Sequence, residues 1–171
     1  MTTIEEILHS KKKPKEIITL LAEKLKSDKK SVAELIKCFD RGSDTEKGNC
    51  MEAIEYVTKE DPEFAKNCLD FVIEHINDKA PRVKWETARI IGNVAQRFLD
   101  KVEEAVPKLL VNTNDKGTVV KWSAAFALTE IARNNPELKK ELTTKFNEIM
   151  KIESNKGVKN IYLKYLEEVE Q

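Results

Sequence analysis

The stretch Ala80–Gln96, APRVKWETARIIGNVAQ, returns 37 residues later as Gly117–Arg133, GTVVKWSAAFALTEIAR. Both copies carry Val-Lys-Trp, at 83–85 and 120–122, and these contain the only two tryptophans of the chain. In the first copy Val83, Ala88, Ile91, Val94, Ala95 and then Phe98 follow helical spacing, which marks one face of an α-helix. The same 37-residue register organises the rest of the chain into apolar columns. Ile54, Ile91 and Leu128 form one column, and Val57, Val94 and Ile131 form another one helical turn along. Val32, Leu69 and Val106 align, as do Ile36, Ile73 and Leu110, and Leu35, Val72, Leu109 and Phe146 make the longest column. A last copy follows a one-residue slip, with Val158-Lys159 lying 38 residues after Val120-Lys121 and Leu166 and Val169 matching Leu128 and Ile131. A period of about 20–50 residues is the signature of a helical array, because one such unit cannot bury its apolar face without its neighbours.

Each unit reads as two helices. Asp61-Pro62-Glu63 and Asn135-Pro136-Glu137 each offer a capping side chain, a proline at the first helical position and an acid near the positive end of the helix dipole. Ser31-Val32-Ala33-Glu34 has the spacing of a capping box. Asn77–Pro81 and Asn114–Gly117 read as the turns inside two units. The spacing predicts helices near 3–9, 14–26, 31–41, 44–59, 62–77, 82–98, 100–113, 118–133, 136–151 and 156–169. The expected organisation is one domain over 1–171: capping helices in 1–30, then repeats near 31–59, 62–98, 100–133 and 136–171.

An acidic turn, then Val and a basic residue, then small and apolar residues at helical spacing resembles the second helix of a HEAT repeat. DKAPRVKWETARIIGNVA and DKGTVVKWSAAFALTEIA carry the resemblance closely, NCMEAIEYV and GVKNIYLKYLEEV more loosely, and together they span about residues 31–169. The resemblance to this armadillo-like family implies an all-α fold, a right-handed α-solenoid of about four helix pairs behind an N-terminal helical cap. It also implies a curved stack whose second helices line the concave side, which many relatives use to hold a protein or peptide. The family pattern usually has Arg where this chain has Lys84, Lys121 and Lys159. A lysine is a point charge and cannot form the two-pronged arginine contact.

Composition narrows the function classes. With 35% charged and 40% hydrophobic residues, and five Gly and five Pro, the chain has the profile of a soluble helical domain rather than a disordered one. The formal net charge of zero removes any global attraction to nucleic acid or an anionic membrane surface. No apolar run approaches the roughly 18 residues of a membrane span, and the N-terminal residues lack the apolar stretch of a signal peptide. Cys38, Cys50 and Cys68 are odd in number, lack a C-x-x-C pair and lie among apolar neighbours, which predicts buried thiols and a cytoplasmic location. His9 and His75 are the only histidines, and the sequence contains no His/Cys spacing of a metal site, no Gly-rich phosphate loop and no nucleophile–base pattern. Hence no catalytic residue, cofactor or metal is expected, and a monomer is the favoured state. Lys11-Lys12-Lys13 with Lys15 reads as a solvated basic loop.

On the second helices Trp85, Arg89 and Asn93 follow one another at four-residue steps, off the buried stripe. The matching line in the next unit is Trp122, Phe126 and Glu130; the line before holds Gly48, Glu52 and Tyr56 or Glu55, and the line after holds Asn160, Lys164 and Glu168. Two readings of the tryptophans stand side by side: wedges packed against the preceding helix, or aromatic anchors on a concave wall. Aromatic residues and Arg among polar groups compose interface hot spots. The leading expectation is therefore a non-catalytic scaffold that binds a protein or peptide through Trp85, Arg89, Asn93, Trp122, Phe126 and Glu130. One alternative is a HEAT-like protein acting on nucleic acid or damaged DNA bases, which Glu52, Glu55, Glu130 and Glu168 on the inner stripe oppose. The other is a lyase-like HEAT protein, supported by the repeat pattern alone.

Overall fold

A computed structural model describes residues 2–170; residues 1 and 171, assigned above to the cap and the last repeat, lie outside the described residues. Among those residues the chain is all helical, and its helices alternate between two layers. The second helices of the units are α2 (Pro14–Ser27), α4 (Asp44–Glu60), α6 (Pro81–Val94), α9 (Thr118–Asn134) and α11 (Lys156–Glu170). Each packs against the next, α2 on α4, α4 on α6, α6 on α9 and α9 on α11, forming one continuous layer. The other layer contains α1 (Ile4–Leu8), α3 (Ser31–Arg41), a 3-10 helix (Pro62–Asn67) followed by α5 (Leu69–Glu74), α7 (Leu99–Glu103) with α8 (Val106–Asn112), and α10 (Pro136–Ile152). The N-terminal segment is a truncated first pair: α1 has only five residues, whereas α2 takes its full place in the second-helix layer.

The apolar columns form the core. Ile54, Ile91, Leu128, Val57, Val94 and Ile131 are all buried, as are Leu35, Val72, Leu109 and Phe146. In the last unit the largest buried groups are instead Tyr162 and Tyr165, which pack on Phe146 with ring centroids 5.0 and 5.4 Å away. Leu166 and Val169 are only partly buried, since the line of second helices stops at α11 among the described residues. All three cysteines are free and buried.

Two expected helices are each divided. The segment expected to be helical over 100–113 breaks between α7 and α8, because Pro107 has no N–H for the Glu103 carbonyl and its ring crowds that turn. The segment over 62–77 winds first as a 3-10 helix and becomes α-helical only from Leu69, which stretches its first six residues along the axis. α6 ends at Val94 rather than 98, in a tight turn whose Arg97 and Phe98 amides both bond the Val94 carbonyl.

The caps also differ from expectation. Ser31 is no capping box: its hydroxyl turns back to donate to the Asp28 and Lys24 carbonyls, while Asp28 Oδ1 accepts from the Lys30 amide. Asp61 makes no side-chain cap, whereas Asn135 accepts from the Glu137 amide at 3.1 Å. Capping boxes do form at Thr3/Glu6 and Ser43/Glu46, where the hydroxyl and carboxylate each meet the other residue's amide.

A ladder of single-point ion pairs ties neighbouring units together. Lys84 Nζ donates to Asp115 in the turn of the following unit at 2.7 Å, and Lys121 Nζ does the same to Glu153 at 2.9 Å. Each acid also closes its own turn, Asp115 on the Gly117 amide and Glu153 on the Asn155 amide. Burial acts to raise both carboxyl pKa values, but the amide bonds and the lysines outweigh it and hold both below the ordinary range. Asn112 adds a buried tie, donating to the Ile76 carbonyl of the preceding unit at 2.8 Å.

Candidate functional site

Three consecutive second helices border a groove of about 710 Å³. α4 supplies Glu52, Glu55, Tyr56, Lys59 and Glu60, α6 supplies Arg89 and Asn93, and α9 supplies Trp122 and Phe126. The aromatic wall depends on Gly92: a Cβ there would lie 2.2 Å from Phe126 Cε2, so only glycine lets the ring rest on the α6 backbone. Phe126 in turn stacks on Trp122, with centroids 6.0 Å apart and planes 19° from parallel. Trp122 remains 38% exposed and Tyr56 41% exposed, so the groove presents aromatic surface from two helices.

The repeated Val-Lys-Trp motif does not give its two tryptophans equivalent surroundings. The Trp85 indole N–H donates to Glu86 Oε1 at 3.0 Å, and Trp85 is half-buried outside the groove. In the next unit the position of Glu86 is Ser123, which is buried with no partner for its hydroxyl. Of the six residues singled out above, the structure therefore brings Arg89, Asn93, Trp122 and Phe126 together in the groove. It places Trp85 against Glu86, and Glu130 in a pair with Arg133, which also bonds Glu168 at 2.8 Å.

The groove's charge is uneven. Glu52 is paired with Arg82 at 3.0 Å and Glu60 with Lys26 at 2.6 Å, whereas Glu55 has no cation within pairing distance among the described residues. Asn93 leans towards Glu55, with Nδ2 3.4 Å from both its carbonyl and its carboxylate. Glu86 was not anticipated. It is 1% exposed and Oε2 has no hydrogen-bond partner. Burial, and then the nearby Glu52 and Glu55 charges, push its carboxyl up to about 7, against the opposing pull of Arg89 and the Trp85 N–H. The available signal was its position three residues after Val83, where helical spacing places an acid on the apolar face.

His9 and Cys38 line one small cavity of about 160 Å³, a pairing the sequence did not suggest. His9 Nε2 is engaged by Glu46 at 2.9 Å, no hydrogen bond joins it to Cys38, and burial raises the thiol pKa, which disfavours the attacking thiolate. His75 packs edge-on against Phe39 and Phe71. Among the described residues no three His, Cys, Asp or Glu side chains converge as a metal site, and no helix is long and apolar enough to cross a membrane.

No protein-family model matches the chain, and no curated protein matches it significantly by sequence. Solved structures do match by shape. The complex of CpcE and CpcF of phycocyanin lyase from Nostoc sp. contains a chain similar to this one at TM-score 0.74 and 19% identity, over 95% of this chain and 97% of that one. A designed armadillo repeat protein in complex with the peptide (KR)4 is similar at TM-score 0.67 and 17% identity, over 93% of this chain and 77% of that one. Computationally designed armadillo repeat proteins for modular peptide recognition are similar at TM-score 0.70 and 18% identity, over 96% and 79%. At these identities the likeness is one of fold.

Proposed function

Starting from a chain with the HEAT/armadillo-like helical-repeat fold, we propose that its function is to hold an extended peptide or protein segment, without catalysis, along the second-helix face. The observation that carries the reading is the groove itself: Trp122 and Tyr56 line it from α9 and α4, both part-exposed, together with carboxylates and Asn93. Exposed aromatic surface framed by polar groups is what a binding patch needs, with apolar contact for affinity and polar groups for register. The armadillo repeat designs of similar fold that take peptides support a peptide as the kind of partner. Glu55, which has no paired cation among the described residues, would repel a phosphate, which weighs against a nucleic acid partner.

The test is fluorescence anisotropy with labelled eight-residue peptides of alternating basic, alternating acidic and mixed apolar sequence, titrated with the wild type and with Trp122→Ala. The reading expects saturable binding of at least one peptide, weakened at least about tenfold in the variant. Equal binding by both proteins would move the site away from the groove, and absence of binding to every peptide would remove the reading. The lyase-like alternative rests on likeness to the CpcE–CpcF complex and on no reactive constellation in this chain.

A further inference from the structure

The last second helix, α11, carries a face that no other helix covers among the described residues. In α9 the positions turned towards the following unit are closed: Ala125, Leu128 and Ile131 are fully buried where α10 and α11 pack on it. With the one-residue slip of the last copy, the matching positions of α11 are Leu163, Leu166 and Val169. Leu163 is 43% exposed, and the other two are only partly buried. The ion-pair ladder stops at the same place. Lys84 and Lys121 each reach an acid of the following unit, whereas Lys159, the next lysine of the series, has no acid within pairing distance among the described residues. Around Leu163 the face is divided by charge. Residues four and seven positions away share its side of the helix. Four and seven residues before it stand Lys159 and Lys156; four and seven residues after it stand Glu167 and Glu170. Lys156, Glu167 and Glu170 are exposed, and none of these four side chains is paired among the described residues. The intervening acid, Glu168, turns back to Arg133 on α9.

We propose that this face of α11 is an interface with a second copy of the chain, the two helices lying antiparallel about a two-fold axis at Leu163. The charges are spaced symmetrically about that residue, so the axis sets Lys159 of each copy opposite Glu167 of the other, and Lys156 opposite Glu170. Each kind of ion pair is made twice and the two Leu163 side chains meet at the centre, which is the self-complementarity an isologous interface requires. A parallel arrangement would set lysine on lysine and glutamate on glutamate, so the charges also fix the direction. The second copy thereby gives Lys159 the acid that Asp115 and Glu153 give to Lys84 and Lys121. This face is separate from the groove, which is lined from α4, α6 and α9, so the pairing is independent of peptide binding. With 15 residues α11 is about 22 Å long. One pair of such helices covers less than the roughly 1,200 Å² of a stable complex, and its charge pairs are exposed, so the dimer is a weak one, with a dissociation constant on the order of 100 μM. The monomer favoured by the sequence remains the state of the dilute protein.

Sedimentation equilibrium of the chain from about 5 to 500 μM, in about 20 mM salt, measures the association. It is repeated on Lys159→Glu, Glu167→Lys and Leu163→Lys, each checked for helicity by circular dichroism, and on an equimolar mixture of the first two. The wild type is expected to pass from monomer to dimer and no further, with the dimer weakened at least about threefold in about 0.3 M salt. Each charge reversal sets like charges opposite one another twice over and is expected to weaken the dimer at least about tenfold. In the mixture one protein presents glutamate at both 159 and 167 and the other lysine at both, so the two are complementary again. Association of the mixture is expected to return to within about threefold of the wild type. A wild type that stays monomeric over the whole range would overturn the proposal, as would assemblies that grow beyond a dimer, or association that none of the variants weakens. A mixture no more associated than its separate components would overturn it too, since the antiparallel register would be wrong. If the half-buried Lys159→Glu loses helicity, Glu167→Lys and Leu163→Lys, both at exposed positions, decide the matter: dimers as strong as the wild type in either would overturn the proposal.

Discussion

Replacing Glu86 by glutamine tests the electrostatics of this buried position without changing its shape. The side-chain oxygen that accepts the Trp85 indole N–H is retained, and only the charge is lost. The Glu86 carboxyl has a pKa of about 7 in the folded protein against an ordinary value of 4.5. At about 1.4 kcal/mol per pH unit, the gap corresponds to roughly 3 kcal/mol against folding once the group is ionised in both states. The direction follows from the protons bound. Below pH 4.5 the carboxyl is protonated in both states; between 4.5 and about 7 the folded protein retains a proton that the unfolded chain has released. Stability contributed by this group therefore falls as pH rises through that window and is flat above it. Urea unfolding followed by circular dichroism at pH 5 and pH 8.5, for wild type and Glu86→Gln, measures the effect. Taking the difference between the two proteins at each pH removes the contribution of groups common to both. The variant is expected to gain about 2–3 kcal/mol on the wild type between pH 5 and pH 8.5. A difference that does not change with pH would refute the reasoning, since Glu86 would then already be ionised at pH 5. A change of opposite sign would show that Arg89 pairs with it strongly after all.

Three further outcomes follow from the packing. Lys121→Met leaves Glu153 without its cation in a nearly enclosed position and is expected to cost about 1–2 kcal/mol at pH 7 by urea unfolding. The folded-state pKa of Glu153 is lowered, so that contribution is present at neutral pH and lost as pH falls below 4.5, and the variant should show a shallower acid loss than the wild type. Gly92→Ala drives a methyl group into the Phe126 ring and is expected to destabilise by about 1–3 kcal/mol, with a shifted Trp122 emission spectrum as the ring pair moves; an unchanged melt and spectrum would contradict the contact. Trp122→Ala is expected to cost no more than about 2 kcal/mol, whereas Phe146→Ala, fully buried between two tyrosines, should cost about 3–5 kcal/mol. Equal losses in thermal melts would make Trp122 a core residue and remove the groove's aromatic wall.

The 37-residue register was sufficient to locate the second-helix layer, because a column such as Ile54, Ile91 and Leu128 records burial directly. Pro107 was equally visible as a break, yet an apolar stripe running through it reads as one helix unless the missing N–H is counted. Capping was harder to read, since Asp28 and Ser31 both offer cap chemistry and only the local turn decides which is used. The groove was legible on α6 and α9, where Arg89, Asn93, Trp122 and Phe126 fall at four-residue steps. The distinction between the two tryptophans was not, because it turns on the next residue in each copy. Glu86 captures one indole, whereas the short Ser123 side chain makes no such bond and Trp122 lies on Phe126. Nor does a linear register show that Glu55, 31 residues before Glu86, is near enough to oppose its ionisation.

The most direct measurement is a backbone-amide map by 15N-resolved spectroscopy as the tightest-binding of the three octapeptides is titrated in. The account predicts shifts concentrated on α4, α6 and α9 around Glu55, Arg89, Asn93, Trp122 and Phe126, with α3, α5, α8 and α10 unmoved. Shifts confined to those other helices, or to the N-terminal pair, would contradict it.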